Sequence, residues 1–152
     1  MILENLKLSG QLNIVLKDKA GTIKEERVEK NLVVNAGLAY IASRMTGTSK
    51  AVMSHMALGS GTTAAAASQT DLVTLLGSRE ALDSATITGS NNEKVAYVSA
   101  FEAGDATGAV TEAGIFNAAS SGDMLCRTVF SVVNKAADDT MSVTWTITLA
   151  AS

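Results

Sequence analysis

The sequence predicts a mainly β protein, an antiparallel sandwich or barrel with one or two short helices, and three observations carry that expectation. Apolar and polar residues alternate at both ends of the chain, turn-forming residues recur at short intervals through the second half, and few segments show helical spacing. Alternation with period two gives a strand one row of side chains for a core and one for solvent.

The clearest strand is at the end, where Met141, Val143, Trp145, Ile147 and Leu149 alternate with Ser142, Thr144, Thr146 and Thr148. The start repeats the device: Leu6, Leu8, Leu12, Ile14 and Leu16 share one face, with Lys7, Ser9, Gln11, Asn13 and Lys17 on the other. Gly10 interrupts the inner row and marks a bulge or a close backbone approach. Asp18-Lys19-Ala20-Gly21 supplies turn chemistry, so a second strand returns from Thr22 to Val34 and closes an N-terminal hairpin over 4–34. Its returning arm, TIKEERVEKN, is charged, as befits an edge strand guarded against unwanted pairing or one laid on a partner. Lys24, Glu25, Glu26, Arg27, Val28, Glu29 and Lys30 are therefore the candidate interaction surface.

Asn35 reads as the N-cap of a helix over 36–46, with Leu38, Ile41, Ala42 and Met45 at helical spacing and Arg44 in the last turn. Met53 to Leu58 reads as a strand, SGTTAAAASQT as a small-residue loop, and Asp71 to Leu76 as a short helical turn. Strands then follow at Ala81–Thr88, Lys94–Glu102, Val110–Ala118, Met124–Val133 and Thr140–Ala150. GSNNE, AGDATGA, ASSGD and NKAADD separate them, so 81–150 is expected to form an antiparallel meander.

A chain of 152 residues without a composition break is expected to fold as a single domain, 1–152. With 47% hydrophobic but only 4% aromatic residues, its core must be filled by aliphatic side chains and alanines. A net charge of −3, with lysines dispersed along the chain, provides no electrostatic footprint for nucleic acid or an anionic membrane. One cysteine and one histidine cannot make a disulfide or a Cys/His zinc site, so no metal or cofactor is expected. Glu4, Asn5, Lys7 and Gln11 interrupt the apolar start, and no stretch reaches membrane-spanning length; a soluble product made in the cytoplasm is expected.

Candidate chemistry is sparse. Gly59-Ser60-Gly61 lacks the third glycine and the Lys-Ser/Thr of a phosphate loop and reads as a flexible turn. His55 follows Ser54, but no nucleophile elbow surrounds that serine. Cys126 reads as an inert filler sharing a face with Met124, Thr128 and Phe130, with Arg127 pointing the other way. Glu102 and Asp105 bracket a turn and are expected to be solvated. Glu112 enters a strand that becomes strongly apolar, where a carboxylate needs a cation or several N–H donors; Arg127 or Arg79 can supply a bidentate partner. A structural ion pair is expected there, with no catalytic residue.

The run Asn35-Ala36-Gly37, MALGSGTT (Met56 to Thr63), Thr70 with Leu72, Arg79, VAYVSAFEAG, Gly108 and TEAGIFN followed by SSGDMLCRTVF resembles a known family. It is similar to the small β-rich virion modules of tailed bacteriophages, especially the tail-collar fibre N-terminal type, over about residues 31–133. The resemblance implies a non-enzymatic virion component, made in the bacterial host cytoplasm, whose partners are other tail, fibre or capsid proteins. It implies a homo-oligomer, with a trimer in view because virion fibres and decorations commonly use three-fold axes. The chain ends at Ser152 just after a strand and opens with the hairpin 4–34, so a tail or tail-fibre adaptor is expected rather than a receptor-binding fibre. The alternatives are a capsid decoration protein that cements the head shell and a carbohydrate-binding module. The scarcity of aromatics argues against the second.

Overall fold

The computed structural model describes residues 5–47 and 50–151; Glu4, the first residue of the expected hairpin, lies outside them. In chain order the elements are β1 (Leu6–Lys17), β2 (Ile23–Lys30), β3 (Leu32–Val33), α1 (Asn35–Met45), β4 (His55–Gly59) and β5 (Glu80–Ala81). They continue with β6 (Ser84–Thr88), β7 (Lys94–Phe101), β8 (Gly108–Phe116), β9 (Met124–Lys135) and β10 (Thr140–Ala151).

The two most regularly alternating strands pair with each other: β1 runs antiparallel to β10 from Leu6 opposite Ala151 to Lys17 opposite Thr140. They form the centre of a five-stranded sheet ordered β2-β1-β10-β7-β6. A second five-stranded sheet, β3-β9-β8-β4-β5, faces it, making a β-sandwich with a short helix. Between them lies an aliphatic core to which the first sheet brings Leu12, Ile14, Leu16, Phe101, Val143 and Trp145, and the second Met56, Leu58, Ile115, Phe130 and Val133.

Strands 81–150 do not form a continuous meander. Only β6 with β7 and β8 with β9 pair as sequence neighbours, because the connections β7 to β8 and β9 to β10 cross between sheets. The strand expected over Ala81–Thr88 is split by Leu82 and Asp83: β5 belongs to one sheet and β6 to the other.

The second sheet is buried on both faces. A smaller cluster of Val34, Ala57, Phe116 and Met124, capped by Ala36 and Leu72, lies on its outer side. Segment 71–76 makes this possible by running extended rather than helical. Ser60 N–H donates to Thr74 O and Leu76 N–H to Leu58 O, so the segment pairs along the end of β4. Leu76 N–H is satisfied by that strand edge and the Val73 and Thr74 N–H groups by the Glu112 carboxylate, which removes the drive to form a helical turn.

Helix α1 differs from expectation at its cap and its face. Val34 occupies the N-cap without a side-chain hydrogen bond, and Asn35 is the first helical residue, its N–H donating to Ala67 O. Gly37 and Tyr40 are buried, whereas Leu38 is 46% and Met45 83% exposed. Gly37 decides this orientation, because a Cβ there would lie 2.1 Å from Leu125 O: the helix rests its backbone on β9.

Gly10 is a close approach. The Asn31 side chain occupies the space a Cβ would take, and Asn31 Oδ1 accepts a 3.0 Å hydrogen bond from Nε1 of the fully buried Trp145.

Candidate functional site

Glu112 and Arg127 meet on the outer face of the second sheet, beneath the loop that follows β4. Both side chains are fully buried. Irregularities in the β8/β9 register, between Val110 and Glu112, let Thr111 and Glu112 both reach that loop. Arg127 comes from β9, opposite Gly114.

The carboxylate accepts five hydrogen bonds. Oε1 takes the backbone N–H of Gly61 at 2.9 Å and of Thr74 at 2.7 Å; Oε2 takes Val73 N at 3.0 Å and Arg127 Nε and Nη2 at 3.0 and 2.7 Å. Arg127 Nη1 donates to Thr63 O at 3.0 Å and Gln69 Oε1 at 2.9 Å. Thr111 Oγ1 donates to Gly61 O at 2.8 Å. Burial is the largest single influence on the Glu112 carboxyl and raises its pKa. The hydrogen bonds from Thr74, Val73, Arg127 and Gly61 together outweigh it and hold the group below the usual range.

The Gly59-Ser60-Gly61 run is therefore no flexible turn. Both glycines are buried, and a Cβ would come within 2.6 Å of Glu112 Oε1 at Gly59 and 2.4 Å at Gly61. The run does cradle an anion, but that anion is the protein's own carboxylate. Small side chains in TTAAAAS let the loop lie flat over Arg127, and Gln69 stiffens it by accepting from Ala66 N at 2.9 Å.

Arg79, the other candidate partner, is engaged elsewhere. It donates to Ala118 O at 2.9 Å and Ser121 O at 2.7 Å, reaches Asp71 at 3.4 Å, and stacks 3.5 Å from the centre of the Phe116 ring. It thus pins the turn between β8 and β9.

The hairpin candidates divide by strand parity. Glu25, Arg27 and Glu29 point toward the second sheet: Arg27 pairs with Glu25 at 2.7 Å and Glu29 at 3.4 Å and donates to Ser131 O and Val132 O of β9. Lys24 pairs with Asp139 at 2.6 Å. Glu26, Val28 and Lys30 are exposed, Val28 at 66%.

Cys126 is buried in the main core and its thiol pKa is pushed up by that burial. Met124 does not share its face: a register shift in the β8/β9 pairing sends Met124 into the outer cluster with Phe116. Ser54 Oγ lies 2.8 Å from His55 Nδ1, yet among the described residues no group orients the other ring nitrogen. Glu102 and Asp105 flank the buried ammonium of Lys135, which donates to Glu102 O at 2.8 Å. Burial lowers the Lys135 pKa, opposed by Asp105, Asp139 and Glu102. Among the described residues no group of three His, Cys, Asp or Glu side chains could hold a metal ion, and no helix is long and apolar enough to cross a membrane.

Fold and site together define a two-sheet β protein whose most conspicuous polar constellation is a saturated internal lock. No protein-family model, no curated protein and no solved structure matches the chain.

Proposed function

We propose that the protein is a non-enzymatic structural component of a tailed-bacteriophage virion, an attachment or adaptor protein of the tail or tail fibre that binds other virion proteins. One observation carries this reading. The residues of the phage-module resemblance converge on a single lock: Gly59 and Gly61 cradle Glu112, Leu72 and Phe116 close over Gly114 two residues further along the strand, and Arg127 and Arg79 tie down the flanking loops. A motif whose polar atoms are consumed by internal hydrogen bonds preserves a shape and leaves no free group for turnover.

Contact with neighbours has a candidate edge. Strand β6, Ser84–Thr88, closes the first sheet with no charged residue, and its Ile87 is 65% exposed. An edge of this kind suits strand addition by a second chain, and a symmetric homo-oligomer is the arrangement favoured for such parts.

Purified phage particles, separated by denaturing gel and quantified against the major capsid band, test the proposal. An adaptor is expected at far fewer copies than the capsid protein. A ratio near one would mean a decoration protein, and absence from particles would end the virion reading. Sedimentation of the isolated chain tests the oligomer.

A further inference from the structure

The outer face of the first sheet carries a hollow of about 600 Å³ that the sandwich does not need. It is lined by Lys7, Ser9 and Gln11 of β1, Lys30 of β2, Lys94 of β7 and Thr146 and Thr148 of β10, with Gly10 beneath. Strand pairing explains its shape. Ser9 lies opposite Thr148 and Gln11 opposite Thr146, so the short hydroxyl-bearing Ser9, Thr146 and Thr148 make the floor beside the Gln11 amide, while Lys30, opposite Gln11, and Lys94, opposite Thr148, rise at its rim. Short residues in the middle of a sheet and long ones around them make a concavity.

Its electrostatics are one-sided. Among the described residues Lys7, Lys30 and Lys94 form no ion pair, and the hydroxyls of Ser9, Thr146 and Thr148 make no hydrogen bond. Glu93, next to Lys94, offsets part of its charge, but its carboxylate turns back to accept Asn91 N at 2.9 Å. Glu26 shares the outward face of β2 with Lys30 but lies four residues along the strand. With strands about 4.8 Å apart and residues about 3.3 Å apart along each, the three lysine Cα atoms are roughly 12–16 Å from one another. An anion with charges spread over several atoms can meet all three ammonium groups above a hydroxyl floor. The volume is that of a small-ligand site.

We propose that this hollow is a binding site for a small ligand bearing two or more negative charges, of carboxylate or phosphate chemistry, held by Lys7, Lys30 and Lys94 over Ser9, Thr146 and Thr148. The site stands independently of the virion reading.

Calorimetric titration of the whole chain with citrate and with inorganic triphosphate tests it, using wild type, Lys7→Gln/Lys30→Gln/Lys94→Gln and the matching lysine-to-arginine variant. Saturable, salt-sensitive binding of at least one anion is expected. The glutamine variant should weaken it about tenfold or more, and the arginine variant should largely keep it. Melting followed by circular dichroism controls for folding; should the triple variant melt early, Lys7→Gln alone replaces it, with about a two- to threefold loss expected. No saturable binding of either anion, or equal binding by the glutamine variant, overturns the proposal. So does binding of a hexaglutamate peptide with neither small anion bound, which would assign the hollow to an acidic protein segment.

Discussion

Two arginine–glutamate clusters in this molecule use the same chemistry in opposite settings. Arg127 and Glu112 are fully buried, and each remaining carboxylate lone pair is met by a backbone N–H. Arg27, with Glu25 and Glu29, lies at the open side of the sandwich with about a quarter of each of Arg27 and Glu29 and a third of Glu25 still exposed. Burying two charges is expensive, and attraction between them repays it only when every other hydrogen-bonding atom is satisfied. The first cluster meets that condition and so holds loop 60–74 in one conformation. The second is screened by water and bridges the sheets through two carbonyl contacts.

The largest effect should come from breaking the buried cluster. Glu112→Gln aims an amide NH2 at backbone N–H donors and leaves Arg127 uncompensated, so chemical denaturation should report a loss of about 3–5 kcal/mol. Adding Arg127→Met should recover part of it, with a coupling of roughly 0.5–3 kcal/mol in a double-mutant cycle. Purely additive losses would mean that the two side chains act separately.

Acid sharpens the same comparison. Glu112 is held below the usual carboxyl range when folded, so its contribution is fully present above an unfolded pKa of about 4.3 and is lost as pH falls through the lower folded value. Wild type should therefore lose more stability between neutral and acid pH than Glu112→Gln does, measured by melting temperature across pH. Parallel curves would sever the link.

Gly61→Ala tests the cradle without touching a charge. Its Cβ would lie 2.4 Å from Glu112 Oε1, and relieving that overlap should cost about 1–3 kcal/mol by denaturant midpoint. The smallest effect is expected at the exposed cluster. Arg27→Gln should cost less than about 1 kcal/mol, and added salt should narrow the gap from wild type. A larger, salt-insensitive loss would mean that Arg27 closes the sandwich as firmly as Arg127 pins the loop.

Residues that report their own environment were legible in the sequence. Alternation in 6–16 and 141–149 identifies strands because parity is local, and the charge of Glu112 in an apolar strand announces a need for donors. The choice between Arg127 and Arg79 was open, since both are far along the chain and only the β8/β9 register brings one of them to the carboxylate. Segment 71–76 misled because its pattern suits a helical turn, while the β4 edge that captures it belongs to another part of the chain. The helix face misled in the same way: spacing favoured Leu38 and Met45, but Gly37 allows a backbone contact that turns both outward.

The three lysines at positions 7, 30 and 94 look dispersed as text and become neighbours only when β2, β1, β10 and β7 lie side by side. The amino-acid order alone establishes the long terminal strands, their apolar rows and which carboxylate cannot stand unassisted, because periodicity and desolvation act over a few residues. Sheet order, the partner of Glu112, the cradle at Gly59 and Gly61 and the lysine-rimmed hollow belong to the tertiary structure, because each depends on contacts between residues distant in sequence that only strand pairing brings together.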